Sequence, residues 1–343
     1  MSGRADLWCA AARAAAERTP AALATVARRR GSLPMASDAK LLVMGDGGRL
    51  GTIGGGCLEA DVTAQALAVI AAGQPALVRH TLNADIAGDL GLSCGGTVEL
   101  FLEPVVAGSE PAALYAATAA AIAGRKRGTV YTALDWNSGA RKLLVAEEVI
   151  CAVGHWPPSL LSAPSAASAA PAAPTVDPEA GLFVEPIPRV PRLILFGAGH
   201  VAAEIARAAA GTDFHVVVVD DREEFANRER FPTAAEVIVA DLRVALDEAT
   251  LDGDDYVIAC TRGHAMDALV VERTAASPAR YVGMLGSRRK QAVIWKALEA
   301  AGVPRAALDR VKVPIGEDIA ADTPGEIGIA VMAQLIRWRR MGG

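Results

Sequence analysis

Residues 193–221 read LILFGAGHVAAEIARAAAGTDFHVVVVDD, and the fold of the C-terminal half follows from this stretch. An apolar run ends at Gly197, a Gly-x-Gly-x-x-Ala turn (Gly197, Gly199, Ala202) opens an Ala-rich helix, and a second apolar run stops at Asp220 and Asp221. This is the order of a dinucleotide-type βαβ unit. The first glycine permits a tight turn, the second lets backbone approach a phosphate, and the alanine lets the helix pack closely on the strand. The helix start at His200 offers free N–H groups and a partial positive charge to an anion. An acidic residue about 20 positions on accepts bonds from ribose hydroxyls. Gly197, Gly199, His200 and Asp220 are therefore candidate cofactor-binding residues, although the same unit also serves as scaffold without a ligand.

Working outward, EVIVAD, DYVIACT and ARYVGMLG read as further strands, each followed by a helical run, and VKVPIG reads as a last short strand. Strand and helix alternate, which predicts a doubly wound parallel sheet. Ligands of such sheets sit beyond the carboxyl ends of the strands. Three segments fall there: Thr261-Arg262-Gly263-His264, Gly286-Ser287-Arg288-Arg289-Lys290, and Gly316-Glu317-Asp318. Arg288 and Arg289 at a helix start combine N–H donors with guanidinium groups suited to phosphate. The alternative is a solvated basic first turn, which the helix dipole opposes. In TPGEIGIAVMAQLIRWRRM, Thr323, Pro324 and Glu326 form a capping-box start.

At 343 residues the chain exceeds one ordinary core and predicts two domains. The expected division is an α+β domain over 1–153, a Pro/Ala/Ser-rich linker over 154–190 with one strand candidate at GLFVEPI, and the Rossmann-like domain over 191–343. The N-terminal domain opens on a helix over 4–18 with Leu7, Trp8, Ala11 and Ala15 inward, then the strand AALATVARR. Two strands flank the turn Gly45-Asp46-Gly47-Gly48. A helix runs from about Cys57 to Ala72, followed by the strands ALVRHTL and TVELFLEP, a helix over 109–124, and a hairpin through Asn137-Ser138-Gly139.

The segment 51–59, GTIGGGCLE, is the most unusual local chemistry. Gly54, Gly55 and Gly56 forfeit backbone entropy and have no side chains to pack, which suggests close approach of a ligand. Cys57 stands at a helix start, whose dipole favours a thiolate able to bind a soft metal or carry sulfur. Its other reading is a buried small residue in a tight turn. Cys94 precedes a second Gly-Gly in SCGG, and the same two readings apply.

Composition excludes several classes. A net charge of -5 with 4% aromatics and dispersed Lys and Arg argues against nucleic-acid binding. The absence of an uncharged apolar run or a signal-peptide core predicts a cytoplasmic protein with no membrane partner. Five cysteines without paired spacing disfavour a disulfide framework and a four-ligand zinc module.

GTIGGGCLE, SCGGTVELFLEP, LILFGAGHVAAEIA, VVVVDDR, YVGMLGSRRK and PIGEDIAADTPGEI, in this order, resemble the XdhC/CoxI family. The resemblance implies a maturation factor for molybdenum hydroxylases of the xanthine dehydrogenase type. Such a factor binds molybdenum cofactor, as molybdopterin or its dinucleotide form, shields it while a cysteine desulfurase supplies the terminal sulfur, and delivers it to the apo hydroxylase. The family's cofactor-binding cysteine corresponds to Cys57, which makes that residue the expected metal ligand. A homodimer and a cofactor nucleotidyltransferase partner are further expectations. One departure is Met35 in GSLPMASDAK, where a basic residue is expected soon after the proline.

A cofactor-binding chaperone rather than a turnover enzyme is thus the leading reading. An NAD(P)-dependent oxidoreductase on the Rossmann half is the alternative, with His264 as its candidate base. A cofactor nucleotidyltransferase would need a carboxylate cluster, for which Glu317 and Asp318 are the adjacent pair.

Overall fold

The computed structural model describes residues 4–31, 33, 35–82, 96–158, 160–161, 173–187 and 189–341. The chain divides into two units, 1–189 and 190–343.

The first unit begins with α1 (Arg4–Glu17), β1 (Ala21–Gly31), β2 (Lys40–Met44), β3 (Arg49–Thr52), α2 (Gly56–Ala72), β4 (Ala76–Leu82) and β5 (Gly96–Pro104). Its first sheet is antiparallel in the order β3-β2-β1-β5-β4. Leu58, Val62, Ala66 and Val69 recur every turn of α2 and form its buried stripe. That stripe packs on Ala22, Ala24 and Val26 of β1 and on Val98, Leu100 and Leu102 of β5. Met35 is part of the same core, so the position expected to carry a charge is apolar packing.

The unit continues with α3 (Ser109–Ala123), β6 (Gly128–Ala133), β7 (Lys142–Ala146), β8 (Val149–Val153), β9 (Thr175–Asp177) and β10 (Leu182–Pro186). These strands form a second antiparallel sheet, β8-β7-β6-β10-β9. The stretch expected to be a linker therefore supplies two strands: β10 covers the GLFVEPI candidate and pairs with β6. Phe101 of β5 stacks on Phe183 of β10 at 4.6 Å between ring centres, where the two sheets meet. Leu7, Trp8, Ala11 and Ala15 of α1 are buried, as their spacing predicts.

The second unit holds β11 (Arg192–Phe196), α4 (His200–Ala209), β12 (His215–Asp220), β13 (Glu236–Val239), α5 (Leu242–Glu248), β14 (Asp255–Ala259), α6 (His264–Thr274), β15 (Tyr281–Met284), α7 (Arg288–Ala300), α8 (Arg305–Asp309) and α9 (Pro324–Met341). Its five strands are parallel in the order β13-β12-β11-β14-β15. Alternate residues feed two cores: Leu193, Leu195, Val216 and Val218 pack with α4 and α9, while Ile194, Phe196, Val217 and Val219 pack with α6 and α7. Burial on both faces explains why these strands are almost continuously apolar. The order reverses between β11 and β14, and crevices at that switch point take ligands in such sheets.

VKVPIG does not form the last strand. One isolated bridge, Gly283 to Lys312, marks its place. Pro314 has no N–H to continue a ladder. No described helix is long and apolar enough to cross a membrane.

Candidate functional site

In the first unit, β3 ends at Thr52, Ile53 is fully buried, and Gly54, Gly55 and Gly56 follow with φ of 112°, 79° and 66°. This left-handed region costs an L-residue about 1 to 2 kcal/mol per position, which accounts for three glycines in succession. Crowding does not account for the last two: a Cβ at Gly55 or Gly56 would meet nothing within 4 Å. The loop's outer face is open. Gly51 differs, because a Cβ there would lie 2.5 Å from the Lys40 carbonyl oxygen.

Glu59 holds this loop. Its Oε1 accepts from Thr52 Oγ1 at 2.6 Å, Ile53 N at 3.1 Å and Gly55 N at 3.1 Å, and Thr52 Oγ1 accepts from Gly54 N at 3.2 Å. Arg49 Nη1 lies 3.9 Å from its Oε2. Partial burial pushes the Glu59 carboxyl up, and the bonds from Thr52, Ile53 and Gly55 outweigh this and hold it below the usual glutamate value. Glu59 is a functional residue that sequence reasoning missed. The available signal was an acid in the first turn of a helix, a position from which carboxylates reach back to free N–H groups.

Cys57 is the second residue of α2 and is exposed. It is not a packed core thiol. The helix cap, Gly55, makes no side-chain capping bond, so no side chain of the cap itself covers the helix start. No group of three or more His, Cys, Asp or Glu able to hold a metal occurs among the described residues. Cys57 thus offers a single soft donor above open backbone. A metal that needs several protein ligands does not fit such a place, whereas a cofactor that brings its own sulfurs does. Cys94 lies outside the described residues.

In the second unit, Gly197 has φ of 114°, and a Cβ on it would lie 2.3 Å from the Cys260 carbonyl oxygen. Its role is to let the end of β11 touch the end of β14. Gly199 caps α4 without a side-chain bond, and a Cβ there would meet nothing within 4 Å. His200 begins that helix. The Asp220 carboxylate, 2% exposed, accepts from Ala198 N at 2.7 Å and from Arg222 Nη2 at 2.9 Å on one oxygen, and from Arg222 Nε at 2.8 Å and Arg222 N at 3.1 Å on the other. Burial raises its pKa, and the bonds from Arg222 and Ala198 outweigh this and lower it. Asp220 thereby fastens the glycine turn. The Arg222 guanidinium also lies 3.9 Å from the Phe225 ring centre.

The GSRRK loop divides its charges. Lys290 Nζ turns inward to the fully buried Asp267 and to the Leu285 carbonyl at 3.0 Å. Asp267 also accepts from Thr261 N at 2.9 Å and Thr261 Oγ1 at 2.8 Å, joining the loops after β14 and β15. Arg288 and Arg289 remain exposed on the first turn of α7. His264 is exposed at the start of α6. Glu317 pairs with Arg337 at 3.1 Å, and with no metal-holding group among the described residues the carboxylate cluster of a nucleotidyltransferase is not formed by Glu317 and Asp318 there.

The chain matches the XdhC Rossmann domain over residues 193–335 and the XdhC and CoxI family over residues 14–81. It is 26% identical to a probable xanthine dehydrogenase subunit of Bacillus subtilis, covering 93% of each chain. It is 25% identical to the uncharacterized protein YqeB of Escherichia coli, over 97% of this chain and 46% of that relative, and so spans just under half of it. Among solved structures it resembles a xanthine dehydrogenase from Bacillus halodurans, with a TM-score of 0.79, 26% identity, and coverage of 100% of this chain and 97% of that one. The two domain matches together span more than half of the sequence and fall on the two units with the glycine-cysteine loop and the Gly197 turn, and the chain belongs to the XdhC and CoxI family.

Proposed function

We propose that this chain binds molybdenum cofactor at the Gly54–Cys57 loop, holds it while a cysteine desulfurase sulfurates it, and passes it to an apo hydroxylase of the xanthine dehydrogenase type. The observation that carries the reading is the exposed Cys57 thiol at an uncapped helix start, beside open glycine backbone fixed by Glu59. When bound, the cofactor supplies a molybdenum centre able to take a terminal sulfur. The chain contributes a soft donor, N–H groups of a helix start and room for a flat ligand at Gly55 and Gly56. In the Rossmann unit, the Gly197–His200 turn with Arg288 and Arg289 receives a nucleotide or phosphate group. The names of the Bacillus relatives support a role around xanthine dehydrogenase.

Molybdenum bound per chain, measured after co-expression with the cofactor pathway, tests the reading. An exposed Cys57→Ser change costs stability no more than about 0.5 kcal/mol, so the variant folds and is expected to lose at least tenfold in retained molybdenum. A serine variant that keeps stoichiometric molybdenum and still activates a client hydroxylase sinks the assignment. Hydride transfer from NADH or NADPH by the purified chain would favour the oxidoreductase reading instead.

A further inference from the structure

We propose that the first unit carries a second, separate anion site for a phosphate monoester, built by Arg28, Arg30 and Arg79 on the first sheet. These side chains, with Thr97 and Glu99, line a concavity of about 110 Å³. The registers place them: Glu99 of β5 stands opposite Arg28 of β1 on one side and Arg79 of β4 on the other, and Thr97 stands opposite Arg30. Residues directly opposite in antiparallel strands share a face at about 5 Å between Cβ atoms. Glu99 therefore stands between Arg28 and Arg79, and the three exposed arginines border one concavity with it.

Charge accounting gives the ligand class. Arg28 Nε lies 3.9 Å from Glu99 Oε2, and neither Arg30 nor Arg79 has an ion pair among the described residues. The concavity holds a net charge of two positive units in a chain whose overall charge is -5. Glu99 on the strand between β1 and β4 offsets one of the three positive charges, which leaves two for an anion in the concavity. Guanidinium forks match phosphate oxygens in pairs, and the Thr97 hydroxyl adds a donor. A dianion of small volume balances the charge, which favours a phosphate monoester over a carboxylate.

Position links the site to the loop without requiring it. Thr25 pairs with Lys40, and Lys40 pairs with Thr52, after which the glycine loop begins. Arg28 and Arg30 lie further along β1 in the same direction, where β1 retains β5 as its ladder partner. The cysteine loop and the arginines thus lie toward one end of the sheet but on opposite faces, since Val98 and Leu100 face α2 while Thr97 and Glu99 alternate to the other side. Assigning the anion to the phosphate end of the pterin rests on the function proposed above. The site itself does not.

Titration of the full-length protein with inorganic phosphate and with glycerol phosphate, followed by phosphorus NMR, provides the test. With the Rossmann-unit anion site first removed by Arg288→Ala and Arg289→Ala, a further Arg30→Ala with Arg79→Ala is expected to weaken the remaining phosphate binding at least tenfold. Glu99→Gln removes the competing carboxylate and is expected to tighten binding severalfold, a gain that a damaged fold would not give. Binding is expected to weaken severalfold from pH 8 to pH 5, across the second phosphate pKa of about 6. Phosphate affinity unchanged by Arg30→Ala with Arg79→Ala in that background overturns the proposal, as does equal affinity for chloride. Capture of an acidic polypeptide with no phosphate binding also overturns it. Cys57→Ser separates the two readings: phosphate binding kept while molybdenum is lost supports both, and molybdenum kept with phosphate binding lost in the arginine variant supports this site alone.

Discussion

One carboxylate oxygen of Glu59 receives three donors from the segment that precedes Cys57, so the geometry of the cysteine loop depends on a side chain of the helix that follows it. Replacing Glu59 with Gln keeps the shape, weakens those charge-assisted bonds and is expected to cost on the order of 1 to 3 kcal/mol. The effect depends on pH. Because the folded carboxyl lies below its ordinary value, its stabilising contribution is complete above the unfolded pKa of about 4.3 and is lost as pH falls through the lower, folded pKa. Melting curves of the wild type and Glu59→Gln should therefore differ at pH 7 and converge in acid, while alkylation of Cys57 at neutral pH speeds up in the variant. Parallel curves at all pH values would remove Glu59 from this role. At this scale the glycines and Cys57 were legible because their types are rare in such an order. Glu59 was not, since its partners are backbone groups that appear only once the loop has turned.

Between elements, the Rossmann turn shows how two glycines of one motif do different work. Gly197 sits against the carbonyl of Cys260 because β11 and β14 are neighbours, a fact of strand order and not of local sequence. Gly197→Ala is expected to destabilise the second unit by about 3 kcal/mol or more, through overpacking and a left-handed backbone. Gly199→Ala meets open space at φ of -70° and is expected to cost under about 1 kcal/mol at a helix cap, yet to weaken nucleotide or phosphate binding. Chemical denaturation and a binding titration on both variants check the pair; equal stability losses would show that the roles are not divided. The motif order made β11, α4 and β12 readable. The last strand expected at VKVPIG fails because Pro314 interrupts the ladder. β8 went unread because its turn runs through Glu147 in the left-handed region, at φ of 48°, in place of an Asn-Gly signal. The Pro/Ala/Ser composition nearby hid β9, which pairs with β10, and the pairing of β10 itself with β6, whose partner positions lie some 50 residues earlier in the chain.

Across the whole first unit, two reciprocal ion pairs join the sheets. Lys40 of the first sheet meets Glu185 of the second at 2.7 Å, and Lys142 of the second meets Glu103 of the first at 2.6 Å. Thr25 and Thr132 accept from the two ammonium groups, and the Trp8 ring lies 5.1 Å and 5.3 Å from them. All four charges are buried. No sequence pattern displays such a contact, because Lys40 and Glu185 are 145 positions apart. Burial pushes the Lys40 ammonium below its usual pKa despite Glu185, so desolvation outweighs attraction there. A buried pair of this kind contributes little net stability compared with apolar residues of similar size, but breaking one partner leaves an uncompensated charge at about 3 to 5 kcal/mol. Lys142→Met is therefore expected to destabilise the first unit strongly, since Glu103 already has one oxygen without a hydrogen-bond partner among the described residues. Adding Glu103→Leu should restore most of the loss, giving a coupling energy of several kcal/mol in a double-mutant cycle read by denaturant unfolding. If the two losses simply add, the pair does not act as a unit, and Trp8 with the Phe101–Phe183 stack must hold the sheets together without it.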